Sequence, residues 1–210
     1  GKTWMDRNLG ATQAATSSTD TASYGDLYQW GRAADGHQCR TSGTRVALAT
    51  NSTPEHGDFI LSPDSPYDWL TPQDGTLWQG VDGTNNPCPS GYRLPTETEL
   101  NNERLSWGSN NAAGALGSLL KLPITGYRSR SNGSLTNVGT YGYYWSDTVS
   151  SANTANTSNL FLGNSDAGID SNTRAHGFAV RCTKNVDNPP PTPVYCTGSA
   201  TTIVDVTNPT

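Results

Sequence analysis

The sequence predicts a mixed α+β fold of short strands joined by much irregular chain. Three observations lead there. A single capping box opens the one clear helical stretch. The other apolar runs alternate over only a few residues, which suits strands. Turn formers fill the rest, with 22 Gly and 13 Pro in 210 residues. The helix signal lies at 93–107 (RLPTETELNNERLSW): Pro95 precedes Thr96, Glu99 completes the box, and Leu100 and Trp107 share a face. A shorter helix is expected over 21–32 (TASYGDLYQWGR), capped by Ser23 and turning Leu27, Tyr28 and Trp30 towards a core. Strands are expected over 1–9, 119–128, 141–147, 158–163 and 176–183. In the last of these, Phe178, Val180 and Cys182 share one face, Ala179 and Arg181 the other. Residues 33–90 read as loop anchored by Trp69 and Trp78. Loops of that length inside a compact domain are usually functional.

Composition narrows the functional classes. Charged residues make up 15% and hydrophobic residues 33%, but six Trp and nine Tyr supply enough large apolar surface for a packed core. A net charge of −5 without a cluster of Lys and Arg argues against nucleic acid as a partner. No apolar run approaches the roughly 20 residues of a membrane-spanning helix. The chain opens without Met or a signal peptide, so it reads as a mature or excised piece of a longer protein. Its four Cys contain no CxxC pair and only three His accompany them, which argues against structural zinc. An even Cys count, few Lys and many Ser, Thr and Asn favour a secreted or cell-surface location.

The chain divides into a domain over 1–184, a Pro-rich linker over 185–195 (NVDNPPPTPVY), and a C-terminal strand within 196–210. In that strand Thr202, Val204 and Val206 alternate with Ile203 and Asp205, and an Asn-Pro-Thr turn signal follows. Written ahead of the opening residues, TTIVDVTNPT and GKTWMDRNL read as a strand, a turn and a strand. The expectation is a repeat unit, or a subunit whose assembly strand (Thr202, Ile203, Val204, Val206) pairs with the start of the same or the next domain. Such head-to-tail contacts between copies build fibres. A flexible tail or a linker to an unrelated domain is the other reading.

The strings TWMDRNLGAT, YGDLYQWGR with DGHQ, NPCPSGYRLPT, LKLPITGYR, YYWSDT and GFAVRC occur in that order. They resemble the Fibrobacter succinogenes major paralogous domain, a bacterial extracellular family, over residues 1–184. The terminal TTIVDVTNPT resembles the segment that precedes TWMDRNL in that family. The family is similar to the C-type lectin-like fold, in the branch that includes formylglycine-generating enzymes and the variable proteins of diversity-generating retroelements. The resemblance implies a twisted antiparallel sheet with one or two helices, long loops forming one exposed face, and first and last strands side by side. It also implies a Cys88–Cys182 disulfide, and a place in secreted lipoproteins, adhesins or pilin-like proteins. Cys39 and Cys196 then remain, to bridge the tail to its own domain or to a neighbouring copy.

No nucleophile–base pair, paired carboxylates or metal cage is spelled out, so no enzyme is expected. The relatives that oxidise sulfatases use a late Cys pair, whereas Cys182 is the one late Cys within this domain. The most suggestive surface is 143–174, crowded with Asn, Ser, Thr, Asp and aromatics. Its candidate ligand-binding residues are Tyr143, Asn153, Asn156, Asn159 and Asn172, with Tyr144 and Trp145 assigned to the core. A polar solvated loop is the plainer reading of the same stretch. Asn164, Asp166 and Asp170 are the candidate calcium ligands, although such residues are commonly turn formers. No other cofactor is expected. Asp6, Arg7, Arg93, Arg128 and Arg181 read as structural pairing groups. The expected function is therefore a non-catalytic structural and assembly module, a subunit or tandem repeat of a bacterial surface fibre, stalk or adhesin that contacts copies of itself. The alternative is a lectin-like adhesion domain that recognises a glycan or protein through 143–174.

Overall fold

The computed structural model describes residues 2–185 and 205–208. Its strands are β1 (Lys2–Met5), β2 (Tyr28–Gln29), β3 (Thr44–Arg45), β4 (Phe59–Ile60), β5 (Tyr92–Arg93), β6 (Tyr127–Arg128), β7 (Leu135–Thr136), β8 (Tyr141–Val149), β9 (Asn156–Gly163), β10 (Ala167–Thr173), β11 (Gly177–Phe178), β12 (Thr183–Lys184) and β13 (Asp205–Asn208). Two short helices, α1 (Glu97–Leu105) and α2 (Ala112–Gly117), lie between β5 and β6. The strands form small sheets in the orders β13-β1-β12-β5, β10-β9-β8 and β2-β11-β6-β7, all antiparallel, plus the parallel pair β3–β4. The architecture is thus mostly β with two helices, in keeping with an α+β class.

Helix α1 begins where its capping box places it. The Thr96 hydroxyl accepts from the Glu99 N–H at 3.1 Å, and the Glu99 carboxylate accepts from the Thr96 N–H at 2.9 Å. Leu100 is buried on the helix's inner side, and Trp107, two residues past its end, is buried in the same cluster. The adjacent strand β8 carries an irregularity between Trp145 and Val149. There the Thr148 hydroxyl accepts from the Glu97 N–H, and the Asp147 N–H donates to the Pro95 carbonyl. The bulge thus supplies partners for backbone groups at the helix entrance that the helix cannot pair itself.

The sheet β10-β9-β8 separates two cores because successive strand residues point to opposite faces. Tyr144, Leu160, Leu162 and Ala167 pack against Leu100, Trp107, Ala112 and Ala115 of the helical side. Trp145 faces the other way, into a cluster with Trp30, Trp69, Trp78, Phe178 and Val180. The segment 178–182 divides the same way: Phe178, Val180 and Cys182 join this second cluster, while Ala179 joins the helical one.

Several sequence expectations are corrected. The stretch 21–32 is not a helix. Thr21–Ser23 is one 3₁₀ turn capped by Asp20 rather than Ser23, and Tyr28–Gln29 is strand. Gly25 and Gly31, at φ of +68° and +83°, interrupt the helical path, and a Cβ on Gly25 would lie 2.2 Å from the Leu9 carbonyl oxygen. The strand over 119–128 contracts to Tyr127–Arg128, because Lys121 and Gly126 take positive φ (47° and 68°). Leu120, Leu122 and Ile124 are nevertheless buried. The stretch 176–183 splits into β11 and β12, and α2 was not anticipated.

Candidate functional site: an aromatic belt over the meander

Strands β8, β9 and β10 present one face away from the helices. Register places Tyr143 opposite Phe161, Trp145 and Asp170 opposite Asn159 on its two sides, and Asn172 opposite Thr157. Of the five predicted ligand residues, Tyr143, Asn159 and Asn172 therefore share this face. Asn156 points to the other face, and Asn153 sits in the β8–β9 connection, where its side chain caps the Ala155 N–H at 3.1 Å. Tyr144 and Trp145 are fully buried.

A chain of rings extends this face. Tyr143 lies 5.2 Å from Tyr127, 6.2 Å from Tyr141 and 5.0 Å from Phe178. Tyr127 lies 5.2 Å from His176. The Arg130 N–H donates to His176 Nδ1 at 3.3 Å, and the Arg130 guanidinium covers the Tyr67 ring at 4.1 Å. Tyr127, Tyr141, Tyr143, Phe161 and His176 are half-buried, and Tyr67 is exposed. The belt thus draws on three separate parts of the chain. Tyr67, Tyr127, Arg130 and His176 fall outside 143–174 or were not singled out there. The YR of LKLPITGYR and the H of HGFAVRC were visible in sequence, but nothing local marked them as neighbours of Tyr143.

Polar groups line the belt's edge. The Asn137 amide donates to the Tyr143 hydroxyl at 3.1 Å, and burial raises the Tyr143 phenol above its usual range. The Asn172 amide donates to Asn159 Oδ1 at 2.9 Å and faces Asp170 Oδ2 at 3.4 Å. Asn159 Nδ2, Thr157 Oγ1 and Arg130 Nε are buried without hydrogen-bond partners. Burial, reinforced by nearby Arg130, holds the His176 pKa down to about 4, so its ring is neutral at pH 7. Beyond Asn172, Arg174 stacks on Trp30 at 4.7 Å, donates to the Thr154 carbonyl at 2.7 Å, and lies 3.7 Å from Asp68. Burial pushes Asp68 up to about 6 despite that neighbour.

The proposed calcium ligands do not converge. Asn164 and Asp166 occupy the β9–β10 turn, and Asp170 lies four residues further along β10, about 13 Å in extended chain. The Asp166 carboxylate instead accepts from the Tyr141 hydroxyl and Asp170 from the Ser171 N–H. Among the described residues, no group of three or more His, Cys, Asp or Glu is placed to hold a metal ion.

The other singled-out residues are structural. Cys88 and Cys182 form a disulfide, and Cys39 is also disulfide-bonded. Cys196 lies outside the described residues. Arg93 forms a bidentate pair with Glu99, and Arg7 pairs with Asp6. Arg128 and Arg181 depart from the expected carboxylate forks. Arg128 donates to the Cys39, Ser42 and Gly133 carbonyls, and Arg181 to Asn8 Oδ1 and the Met5 and Leu120 carbonyls.

Strand β13 lies antiparallel beside β1, with Lys2 opposite Asn208 and Trp4 opposite Val206, and Val206 packs against the core that contains Trp4. Thr202, Ile203 and Val204 lie outside the described residues. Among those residues, no helix is long and apolar enough to cross a membrane. No protein-family model, no curated protein and no solved structure matches this chain.

Proposed function

We propose that this chain is a non-catalytic extracellular module of C-type lectin-like fold that assembles head-to-tail, with the β13 strand of one copy seated on β1 of the next. The observation that carries the reading is the seat itself. Strand β13 is an outer strand of its sheet, only four residues long, and its Val206 fills space beside Trp4. A short strand that completes another strand's hydrogen bonds and contributes an apolar side chain is the unit exchanged in strand addition. The Pro-rich stretch 185–195 would serve as the tether. The disulfide and the resemblance of six ordered motifs to a surface-protein family also support an extracellular place.

The register provides a direct test. Thr3 and Thr207 are opposite each other. In a Thr3→Cys/Thr207→Cys variant, oxidation is expected to give covalent ladders on non-reducing gels that lengthen with protein concentration. Crosslinking confined to single chains at every concentration would overturn the assembly reading. A second reading, ligand capture through the meander face, is favoured by the aromatic belt and the buried, unpaired amide nitrogen of Asn159. The two readings are compatible in one adhesin.

A further inference from the structure

Resting on the second reading above, we infer that the belt binds a neutral polysaccharide chain. The belt lies on the face of β10-β9-β8, where β9 is paired on both sides and its main-chain groups are used within the sheet. A peptide that binds by strand addition needs a free edge such as that of β10, so a ligand lying across the rings over the sheet's centre must be held by side chains. Half-buried rings of Tyr127, Tyr141, Tyr143 and Phe161 present apolar area, and Asn159 Nδ2 and Arg130 Nε are buried donors without partners. A buried donor left unpaired is costly, and a ligand oxygen at that point would remove the cost. Beside them the exposed Asp170 carboxylate accepts hydrogen bonds, and Asn172 stands next to it. Apolar ring surface bordered by both donors and acceptors matches a ligand whose units each carry C–H groups and hydroxyls, which both donate and accept.

The formal charges at the belt are one cation, Arg130, and two anions, Asp170 and the Asp166 carboxylate that accepts from the Tyr141 hydroxyl. Arg130 already donates through Nη1 to the Ser62 and Pro63 carbonyls while covering Tyr67. The carboxylates outnumber the cation, so an acidic sugar would meet net like charge at this surface. The successive ring spacings of 5.2, 5.2 and 6.2 Å from His176 through Tyr127 and Tyr143 to Tyr141 suit an extended chain better than a single small molecule.

The test is a defined array carrying neutral polysaccharides (a β-glucan, a xylan and a mannan), acidic polysaccharides (polygalacturonate and alginate) and gelatin peptides, probed with the intact protein. Binding to at least one neutral chain is expected. It should weaken about tenfold or more in Tyr143→Ala and in Asp170→Ala, and be unchanged in Asn153→Ala. Because Asp170 is exposed, its variant should fold even if Tyr143→Ala does not. Binding only to acidic chains or gelatin, lost in the same two variants, would overturn the neutral-glycan inference and leave the belt as a ligand site. Absence of any binding that depends on Tyr143 or Asp170 would overturn both.

Discussion

The meander of residues 141–173 and the irregular chain of residues 6–94 are both built around buried tryptophan, yet different bonds hold them. In the meander, Trp145 is carried by strands whose backbones pair with each other over most of their length. In the irregular part, buried side chains pair with the backbone instead. Gln29 donates to the Ile60 and Ala175 carbonyls and accepts from the Ile60 N–H. Asn85 donates to the Gly31 and Ser52 carbonyls, and Asn86 to those of Val81 and Tyr92. The indoles of Trp30, Trp69 and Trp78 donate to the Ser146, Trp30 and Asn85 carbonyls. Non-repetitive backbone can be buried when side chains satisfy its polar groups. The consequence is uneven tolerance: a ladder shares its hydrogen bonds over many residues, whereas a strut concentrates several on one.

The largest expected effect comes from severing the covalent link into the irregular part. Cys88 and Cys182 close a loop with a sequence separation of 94. Replacing both with Ser should lower unfolding free energy by about 4 kcal/mol, measured by urea denaturation. A loss below about 1 kcal/mol would mean that the side-chain struts hold that region unaided. Arg181→Leu comes next. Arg181 is 1% exposed and its donors reach Asn8, Met5 and Leu120, so the substitution leaves several acceptors unpaired. The expected cost is about 3 kcal/mol.

Acidity sharpens the comparison through individual buried groups, of which Asp26 is shifted furthest upward among the carboxyls. Burial raises the Asp26 carboxyl from 3.8 to about 7. A raised folded-state value means that the native protein holds a proton the unfolded chain has released. Stability should therefore fall as pH rises from about 4 to 7, by roughly 2 to 3 kcal/mol for this group. Asp26→Asn should flatten that slope and raise the melting temperature at pH 8. Glu99, held at about 2 chiefly by Arg93 and Lys2 against its own burial, acts oppositely, since its contribution disappears as pH drops below 4.5. The smallest effect belongs to the meander's rim. Asn153→Ala removes one exposed turn cap and should change stability by less than about 0.5 kcal/mol. A larger loss would place the rim among the struts.

What was legible in sequence follows the same division. The capping box of α1 and the alternation within β8 and β9 depend on residues a few positions apart, so local chemistry specified them. Burial of Leu27, Tyr28 and Trp30 was legible too, because large apolar residues are buried whatever their backbone does. Their backbone was not legible. Gly25 approaches Leu9, and β2 exists because β11, some 150 residues later in the chain, lies beside it. The candidate site divides in the same way. Tyr143, Asn159 and Asn172 could be read from their own segment, whereas Tyr67, Tyr127 and His176 became their neighbours only through packing. Strand period and helix caps act between near neighbours and are written along the chain. A surface made from three distant stretches is decided by which cores close against which, and that depends on the whole fold at once.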